Sequence, residues 1–586
     1  MRIAVSEKIG DEPQLRRSWN QLALGMEHPE IFYTYEWAIA VQFAYTKSLR
    51  PLILLGYEGN ALVGIVALAI RQNGNVVFLS ADTGDYCDFL SSSHNRQEFI
   101  SAVFSELKAR RLEKIVLTNL PADSASVDAI LRAGKSAHYF LHVRQAYACS
   151  RVVLGSPEER AVLKQSMLAK KRLRRAMREL QKRGTVKVHC DTNWREIGPL
   201  FPAFRQTHVA RFLETGKVSN LIRDERRLFL EELARQLSPT GWMAFSRLVV
   251  GDTTAAWNYG FRFGGSWFWY QPTVNEVFWD FSPGYCLLSK IVEEACDSPE
   301  FKVVDLGLGA EGYKERFATA NRETLYYELS KSALQHQITV LRHHASTVAT
   351  ASPHVEQLIR NSISRVRNLK EQVRDRGVGE LTRRLARRMS HAFSSFDNVL
   401  FFEWPASACV HERSGTELCA LTAEILGKAA IEHRDDAATL RFLMRSAKRL
   451  QSGKAQGFAL VAAEGMPLHF CWVKDFEGFD MAELNRILHA PRENAVMIFD
   501  CFTPGSARGH GFFSEAIARL AGRLQSQGKS VWIFGADTNL PSVLGIKKTA
   551  FEYRFALGRR TRFFASRTQD SVARLVQSEA ENPVSS

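Results

Sequence analysis

The sequence predicts a mixed α/β fold made of several units, and three observations lead to this prediction. The chain has 586 residues, which is too long for one hydrophobic core at about 150 residues per domain. Apolar residues make up 45% of it, an ordinary share for a globular protein. One order of elements, a hairpin, a third strand, a helix and a further strand, occurs three times, and such repeats indicate the organisation of a chain.

The three copies occupy residues 51–118, 243–306 and 458–536. In each copy two apolar runs flank a short turn that contains glycine, a pattern typical of a β-hairpin. A third apolar run follows, and a helix then leads to the last strand. In the first copy, a polar loop separates the third strand from a helix predicted near residues 97–109. This loop contains Asp82, Gly84, Asp85, Tyr86 and Asp88.

The third copy contains a glycine loop between a strand and a helix. Residues 495–502 are apolar enough for a buried strand, and a helix is predicted from Phe512 onward. The loop between them includes Arg508, Gly509, His510 and Gly511. Without bulky side chains its backbone N–H groups can approach an anion, which the helix N-terminus also favours. A phosphate cradle is the functional interpretation, and a plain turn is the alternative.

This copy resembles the GNAT acyltransferases. Their pattern is a strand, Arg-x-x-Gly-x-Gly/Ala opening a helix, a second strand and an Asn at its end. Arg508 and Gly511 match it, residues 530–536 supply the second strand, and Asn539 follows. The resemblance implies that the pyrophosphate of acetyl-CoA or another acyl-CoA binds this loop. The implied cofactor contacts are Arg508, Gly509, His510, Gly511 and Asn539.

Three positions of this copy depart from the GNAT pattern. Phe513 replaces the last Gly/Ala of the loop motif, and Ala550 stands for a Gly before Phe551. Ile546 occupies the place where many members carry a Tyr that protonates the departing thiolate. The alternative for this domain is therefore a binding or scaffold role without catalysis.

The first two copies together resemble the CelD-like acetyltransferases of bacterial polysaccharide synthesis and, more distantly, the Fem-type aminoacyltransferases. Both families fuse two GNAT-like halves into one unit, and the resemblance covers about residues 1–330. It rests on Phe32-Tyr33-Thr34-Tyr35-Glu36-Trp37, a Lys/Arg helix near 164–183, Ser282-Pro283-Gly284, and Asp305-Leu306-Gly307 followed by Gly312-Tyr313-Lys314-x-x-Phe317.

The second copy contains the residues that we predict to be catalytic. Tyr313 and Lys314 follow an apolar strand, where a cation would lie beside the oxyanion that develops in acyl transfer. Asp305 would orient the acceptor amine, and Ser282 and Gly284 would contact the cofactor. The structural alternatives are a surface Lys at a helix start and an Asp that caps a turn.

Other polar and aromatic residues allow two interpretations each. The aromatic residues of two neighbouring strands are predicted to share one face, which is either core or a groove for a sugar or adenine ring. These residues are Trp257, Tyr259, Trp267, Trp269 and Tyr270. His510 and Asp500 are candidate bases, although a loop His is usually only solvated. Cys501 is predicted to pack inward, and without a companion His a covalent cysteine route is disfavoured.

Residues 163–183 are predicted to form one basic helix, with Leu173, Met177 and Leu180 along its buried edge. Lys and Arg side chains far outnumber the single Glu in this stretch. A solvated basic face is one interpretation, and binding of tRNA or anionic lipid is the other. No aromatic residue interleaves with the charges, although stacking is what single-stranded RNA recognition usually requires.

Composition limits the partners and the compartment. The formal net charge of +15 suits an anionic partner such as a nucleotide-bearing cofactor, RNA or an acidic membrane surface. Nine cysteines without a Cys-x-x-Cys pair predict neither disulfides nor a metal site. No run of about 18 apolar residues and no signal-peptide pattern occurs, so we expect a cytoplasmic protein without an integral membrane segment.

Together these observations predict an N-acyltransferase of mixed α/β architecture with three GNAT-like units. The expected lobes are residues 1–155 and 156–335, followed by a basic helical connector at 336–397, a GNAT-like domain at 398–567 and a polar tail at 568–586. The expected reaction moves an acyl group from acyl-CoA to an amine, on a sugar nucleotide or another cell-envelope precursor. An aminoacyl-tRNA donor and a non-catalytic scaffold are the alternatives.

Overall fold

The computed structural model describes residues 1–309, 312–350, 394–408, 414–481, 484, 486–562 and 565–570. It divides the chain into two units. The first comprises Met1–Arg211 and Asn220–Val348, and the second comprises Phe212–Ser219 and Ala349–Ser586. Most of the predicted connector lies outside the described residues, as does the tail beyond residue 570. The predicted domain boundaries therefore remain predictions.

The first half of the first unit begins with a short strand and two helices, after which apolar runs form a long hairpin. Its elements are β1 (Arg2–Ser6), α1 (Pro13–Leu24), α2 (Tyr35–Ala44), β2 (Leu49–Glu58), β3 (Ala61–Arg71), β4 (Val76–Phe78), β5 (Leu90–Ser91), α3 (Arg96–Ala109), β6 (Lys114–Pro121), α4 (Ser126–Ser136) and β7 (Phe140–Val153).

The second half follows the same plan with additional helices before its hairpin. Its elements are α5 (Pro157–Leu168), α6 (Lys171–Gln181), β8 (Val186–Asp191), α7 (Trp194–Glu214), α8 (Asp224–Leu237), β9 (Met243–Val250), β10 (Thr253–Phe263), β11 (Ser266–Val274), α9 (Pro283–Asp297), β12 (Val303–Leu308), β13 (Ala320–Ser330) and α10 (Ala333–Thr350).

All strands of the first unit belong to one sheet of 13 strands, in which the two halves exchange strands. The order is β1-β2-β3-β4-β6-β13-β7-β12-β11-β10-β9-β8, with β5 paired to β3. β13, from the second half, lies between β6 and β7, while β7, from the first half, lies between β13 and β12. The two halves therefore share one hydrogen-bonded sheet and form one unit.

The second unit contains a sheet of 8 strands in the order β15-β16-β17-β20-β21-β14-β22-β23 and a separate pair, β18-β19. Its elements are β14 (Ser394–Glu403), β15 (Thr416–Ala420), α11 (Ala423–Glu432), α12 (Ala437–Ser452), β16 (Gln456–Ala462), β17 (Pro467–Asp475), β18 (Phe479–Met481), β19 (Arg486–Leu488), β20 (Ala495–Phe502), α13 (Phe512–Gln525), β21 (Ser530–Ala536), α14 (Leu540–Lys547), β22 (Glu552–Arg562) and β23 (Ala565–Asp570).

The predicted threefold repeat is confirmed by the pairing of the strands. Three antiparallel hairpins, β2-β3, β9-β10 and β16-β17, are present at the predicted places. In each copy the strand after the hairpin pairs in parallel with the strand that follows the helix, giving β4-β6, β11-β12 and β20-β21. A parallel pair requires a crossover, which the helices α3, α9 and α13 supply.

The crossover helices cover the apolar face of each sheet and build its core. Phe99 of α3 lies directly over Gly56 and Gly64 of the first hairpin, where a Cβ atom would come within 2.7 Å and 2.6 Å of the ring. In the second half, Leu287 and Leu288 of α9 are fully buried. Each such side chain contributes roughly 1.5–3 kcal/mol when removed from water.

The single basic helix predicted over residues 163–183 is wrong, because the structure has two helices there. α5 ends at Leu168 and α6 begins at Lys171, with Lys170 in an extended backbone conformation. The Lys170 ammonium donates to the Arg316 carbonyl at 2.8 Å and lies 5.8 Å from the Phe317 ring. These contacts stabilise the break between the two helices.

Among the described residues, none of the helices combines the length and the apolar character that crossing a bilayer requires.

Candidate active site

The strands β11 and β12 separate at the end of their parallel pairing, and the gap between them positions the candidate site. The last parallel pair joins Phe268 to Asp305. Beyond this pair, β12 stays paired with β7 as far as Leu308, with a register shift after Asp305, while β11 continues to Val274. A gap at the carboxyl ends of parallel strands is the usual ligand position in an α/β sheet. We call it the β11/β12 gap.

Asp305 lies on β12 at the base of this gap and is only 1% exposed. Its carboxylate accepts hydrogen bonds from the Tyr86 hydroxyl at 2.9 Å and from the Gly307 N–H at 2.8 Å. The Arg151 guanidinium lies 3.3 Å away. These contacts engage both carboxylate oxygens, so Asp305 positions its neighbours rather than reaching an acceptor amine directly.

Tyr313 and Lys314 follow β12 and contact its end and the neighbouring strand β11. Lys314 starts a short 3-10 turn and is 5% exposed, and its ammonium donates to the Leu308 carbonyl at 2.8 Å. The Tyr313 hydroxyl accepts a hydrogen bond from Trp269 of β11 at 3.1 Å. A buried ammonium is costly without partners, so this cation is held at a fixed place near the gap.

Asp85 enters the same site from the polar loop of the first half, and the sequence assigned it no role. A Cβ atom at Gly307 would lie 2.6 Å from its Oδ2, so the carboxyl sits directly over the glycine. Burial, followed by the charge of Asp305, raises the pKa of Asp85 to about 7, although Lys314 opposes the shift. The residue as a whole keeps some exposed surface, although its carboxyl group is buried.

The loop that carries Asp85 is anchored on both sides. Thr83 accepts hydrogen bonds from Trp37 at its hydroxyl, at 3.0 Å, and from the Tyr270 hydroxyl at its carbonyl. The Asn119 amide donates to the Gly84 carbonyl at 2.9 Å. Trp37 belongs to the aromatic motif near the start of the chain, so one role of that motif is to fix this loop.

Gly307 is required by this arrangement, and its replacement provides a direct test. Its φ of +72° is unfavourable for other residues, at about 1–2 kcal/mol, and a methyl group would displace Asp85. We expect Gly307→Ala to lower the free energy of unfolding by about that amount and to lower turnover as well. Chemical denaturation and initial rates measure the two effects.

Gly309 supplies the matched control for that variant. Its φ is +94°, and among the described residues nothing lies within 4 Å of the place of its Cβ. Gly309→Ala therefore carries the same backbone cost without the contact to Asp85. Equal losses of turnover in both variants would show that backbone strain, and not the displacement of Asp85, is responsible.

A second layer of charge surrounds Asp305 and Tyr86. The buried Arg322 of β13 donates to Glu30 at 2.6 Å and to Asp123 at 3.0 Å, and its guanidinium lies 4.9 Å from the Tyr86 ring centroid. These groups come from both halves of the unit. The strand exchange between β7 and β13 is what brings them together.

Ser282 and Gly284, the predicted cofactor contacts of this unit, lie at the start of α9. Ser282 has a left-handed backbone with φ of +52°. The place of a Cβ at Gly284 is 3.0 Å from Val274 at the end of β11, so this turn borders the β11/β12 gap. Arg172 of the basic helix α6 approaches Ser282 Oγ at 3.5 Å. A positive side chain is thus available beside the predicted phosphate contact.

The prediction that five aromatic residues share one face is wrong, because they divide between the two faces of the sheet. Trp257 and Tyr259 pack against Phe204 of α7, whereas Trp267 and Trp269 pack into the core beneath α9. All are buried. The core interpretation therefore applies, and a stacking groove is not formed.

The predicted loop of the third copy lies in the second unit, between β20 and α13. Gly509 and Gly511 both have left-handed backbones, with φ of +86° and +84°. Arg508 is exposed and donates to the Thr503 carbonyl at 3.1 Å, and His510 and Asn539 are exposed as well. The four loop residues are consecutive in the chain, and Asn539 lies at the start of α14.

Other candidates of this unit have structural partners. Asp500 accepts a hydrogen bond from Arg449 at 2.7 Å, so its carboxylate is engaged in an ion pair. Ile546 is fully buried in the core beneath α13, which explains why an apolar residue replaces the family's Tyr. Cys501 is half-buried, and the companion His that the sequence did not reveal is His469 of β17, as described below.

Residues 168–315 match the family model described as "Acetyltransferase (GNAT) domain", a range that includes Asp305, Tyr313 and Lys314. This part of the chain is therefore similar to GNAT acetyltransferase domains. The narrower CelD-like assignment stays a prediction. No curated protein matches the chain.

Three solved structures illustrate what the chain is similar to. FemX is 11% identical over 58% of this chain and 99% of its own, with a TM-score of 0.41. The C-terminal domain of a putative lysylphosphatidylglycerol synthetase from Agrobacterium fabrum is 8% identical over 52% and 90%, with a TM-score of 0.35. A tandem GNAT protein from the clavulanic acid biosynthesis pathway is 10% identical over 56% and 98%, with a TM-score of 0.33.

Proposed function

We propose that the first unit transfers an acyl group from a thioester donor to an amine, with the reacting carbonyl held in the β11/β12 gap. One observation carries this proposal: a buried cation, Lys314, and a carboxyl of near-neutral pKa, Asp85, lie beside one gap of a GNAT domain. Acyl transfer needs both an oxyanion partner and a base for the amine.

Each residue of the site has a separate role in the proposed reaction. Deprotonated Asp85 accepts a proton from the ammonium of the acceptor, and the free amine attacks the thioester carbonyl. Lys314 stabilises the negative charge that develops on the carbonyl oxygen, with the Tyr313 hydroxyl nearby. The carbon–nitrogen bond forms, the carbon–sulfur bond breaks, and the extra proton of the attacking nitrogen passes to the departing thiolate, which leaves as the thiol. Asp305 acts as a positioning residue through Tyr86 and Gly307.

Acyl-CoA is the donor we propose, with its phosphates at the turn Ser282–Gly284 and Arg172 as a charged contact. A second acyl-CoA site is proposed at Arg508–Gly511 of the second unit. The buried Ile546 supports a binding role for that unit, because it offers no proton to a leaving thiolate. The acceptor would be an amine on a sugar nucleotide or another cell-envelope precursor, and an acceptor screen with labelled acetyl-CoA tests this.

Calorimetric titration of the full chain with acetyl-CoA separates the two sites. We expect Arg172→Glu to weaken binding at the first unit by about tenfold to a hundredfold, because a charge-assisted contact contributes about 1.5–3 kcal/mol. Arg508→Glu should remove the second site only. Arg175→Glu is the matched control, since Arg175 is exposed on the same helix α6. If Arg172→Glu and Arg508→Glu both bound acetyl-CoA as the wild type does, the assignment of the two sites would be contradicted.

Aminoacyl-tRNA is the second candidate donor, and the basic helix favours it. Lys171, Arg172, Arg174, Arg175 and Arg178 are all exposed on α6, and Arg172 lies beside the turn at Ser282. Binding of tRNA neutralises many phosphates, so its affinity would fall steeply with salt concentration. Acetyl-CoA carries few charges and would show a shallow dependence. Titrations of both ligands at two salt concentrations distinguish the donors.

A further inference from the structure

Three side chains of types that can bind metals meet in the second unit, close to the loop that contains Arg508, which donates to the Thr503 carbonyl. The ring of His469 and the thiols of Cys471 and Cys501 have ligand atoms that all lie within 4.8 Å of one another. His469 and Cys471 are two residues apart on β17 and therefore share a face. The register of β17 with β20 shifts between Phe470 and Trp472, which brings Cys501 opposite them.

The imidazole of His469 is held in the orientation that a metal ligand needs. It is 1% exposed, and its Nδ1 forms a hydrogen bond of 2.7 Å with the Thr503 hydroxyl. Its Nε2 is buried and has no hydrogen-bond partner among the residues that the structure describes. A buried nitrogen without a partner destabilises the fold, and this atom is available to a ligand.

The two thiols differ in access, and their surroundings favour a soft ion. Cys471 is 1% exposed, whereas Cys501 is half-buried and is the more accessible of the two residues. Both belong to or border the apolar core beneath α13, and the Phe513 ring lies 5.5 Å from His469. The neighbouring carboxylate, Asp500, pairs with Arg449. Sulfur and imidazole ligands without carboxylate select zinc or copper(I) over magnesium or calcium.

We propose that His469, Cys471 and Cys501 form a binding site for a thiophilic metal ion, zinc(II) or copper(I). Each thiol loses its proton on coordination, and the lone pair of Nε2 gains the partner that it otherwise lacks. Thr503 then acts as an outer-shell group that fixes the ring and its tautomer, as is usual for metal-bound histidines. A zinc ion would keep one further position for water or a substrate atom, whereas copper(I) suits the three protein ligands.

Metal titration of the full chain tests the site. The protein is stripped with a chelator under reducing conditions and titrated separately with Zn²⁺, with Cu⁺ under anaerobic conditions, and with Co²⁺ as a spectroscopic probe. We expect near-stoichiometric uptake and a thiolate-to-cobalt charge-transfer band. Cys501→Ala and His469→Gln should lose both, and Thr503→Val should weaken binding by roughly 10–100-fold. Cys419→Ala is the matched control, a half-buried thiol on β15.

Two outcomes overturn the proposal. One is metal uptake in Cys501→Ala equal to that of the wild type, with both proteins folded by circular dichroism. The other is a reduced, folded wild-type protein that takes up none of the three ions, whether or not Cys471 and Cys501 form a disulfide after the reductant is removed. The relative affinities for Zn²⁺ and Cu⁺ identify the ion. Because acyl transfer is not measured, failure here leaves the proposed function unaffected.

Discussion

Replacing Lys314 by methionine is expected to lower kcat for acyl transfer by roughly 10²–10³-fold, the usual effect of removing one oxyanion partner. Methionine keeps much of the volume and the apolar stem of lysine, so the buried position stays filled. The interaction is made mainly when charge develops on the carbonyl oxygen. KM for the donor should therefore change little, because a loss confined to the transition state lowers kcat and kcat/KM together.

Lys314 also holds the chain by donating to the Leu308 carbonyl, and this structural role must be separated from the chemical one. If Lys314 had only a structural role, Lys314→Met would lower the free energy of unfolding and change KM. Lys314→Arg would then not restore turnover in preference to stability. Lys290→Met is the control, since Lys290 is an exposed lysine of α9. Full turnover of Lys314→Met at saturating donor would show that this residue is not the oxyanion partner.

Local patterns explain why the repeat was predictable from the sequence and the strand exchange was not. Each hairpin has a local pattern of two apolar runs around a glycine turn, within about twenty residues. The three copies can therefore be predicted from the sequence. The pairing of β7 with β13 joins strands from different copies, and no local signal marks it. The break at Lys170 is similar: the residues favour a helix, but contacts with Arg316 and Phe317 override that preference.

The residues of the candidate site likewise include some that local sequence patterns predict and others that only the fold brings together. Asp305, Tyr313 and Lys314 are near one another in sequence and belong to a recognisable motif, so they were predicted. Tyr86 contacts Asp305 from a position 219 residues away, and Asp85 accompanies it. His469 and Cys501 likewise meet only through the pairing of β17 with β20. A sequence motif identifies residues on one loop, whereas partners from a neighbouring strand or lobe require the fold.

Asp85→Asn is expected to lower kcat/KM by roughly 10²–10⁴-fold, the contribution of a general base. The wild-type rate should rise with pH and level off above about 7, because the carboxyl whose pKa is raised to about 7 acts only when deprotonated. The variant should lose this pH dependence along with its rate. Asp82→Asn is the matched control: Asp82 is exposed in the same loop and pairs with Arg71 at 2.7 Å.

The same substitution should make the protein more stable at neutral and higher pH. The pKa of Asp85 is about 7 in the folded chain against an ordinary value of 3.8, so between these values the folded state keeps a proton that the unfolded state has lost. The contribution of Asp85 to stability therefore falls as pH rises through this window, by roughly 4 kcal/mol in total. Asn carries no charge and removes that loss.

Opposite effects on turnover and stability would distinguish a base from a structural residue. Replacing a carboxyl that merely supports the loop would lower both turnover and stability. Replacing a base whose ionised form is destabilised by the fold would lower turnover and raise stability. Urea unfolding of Asp85→Asn and wild type at pH 5 and pH 8 measures the difference, which should be larger at the higher pH. Reduced stability of the variant at pH 8 would contradict the raised pKa, and unchanged turnover would exclude Asp85 as the base.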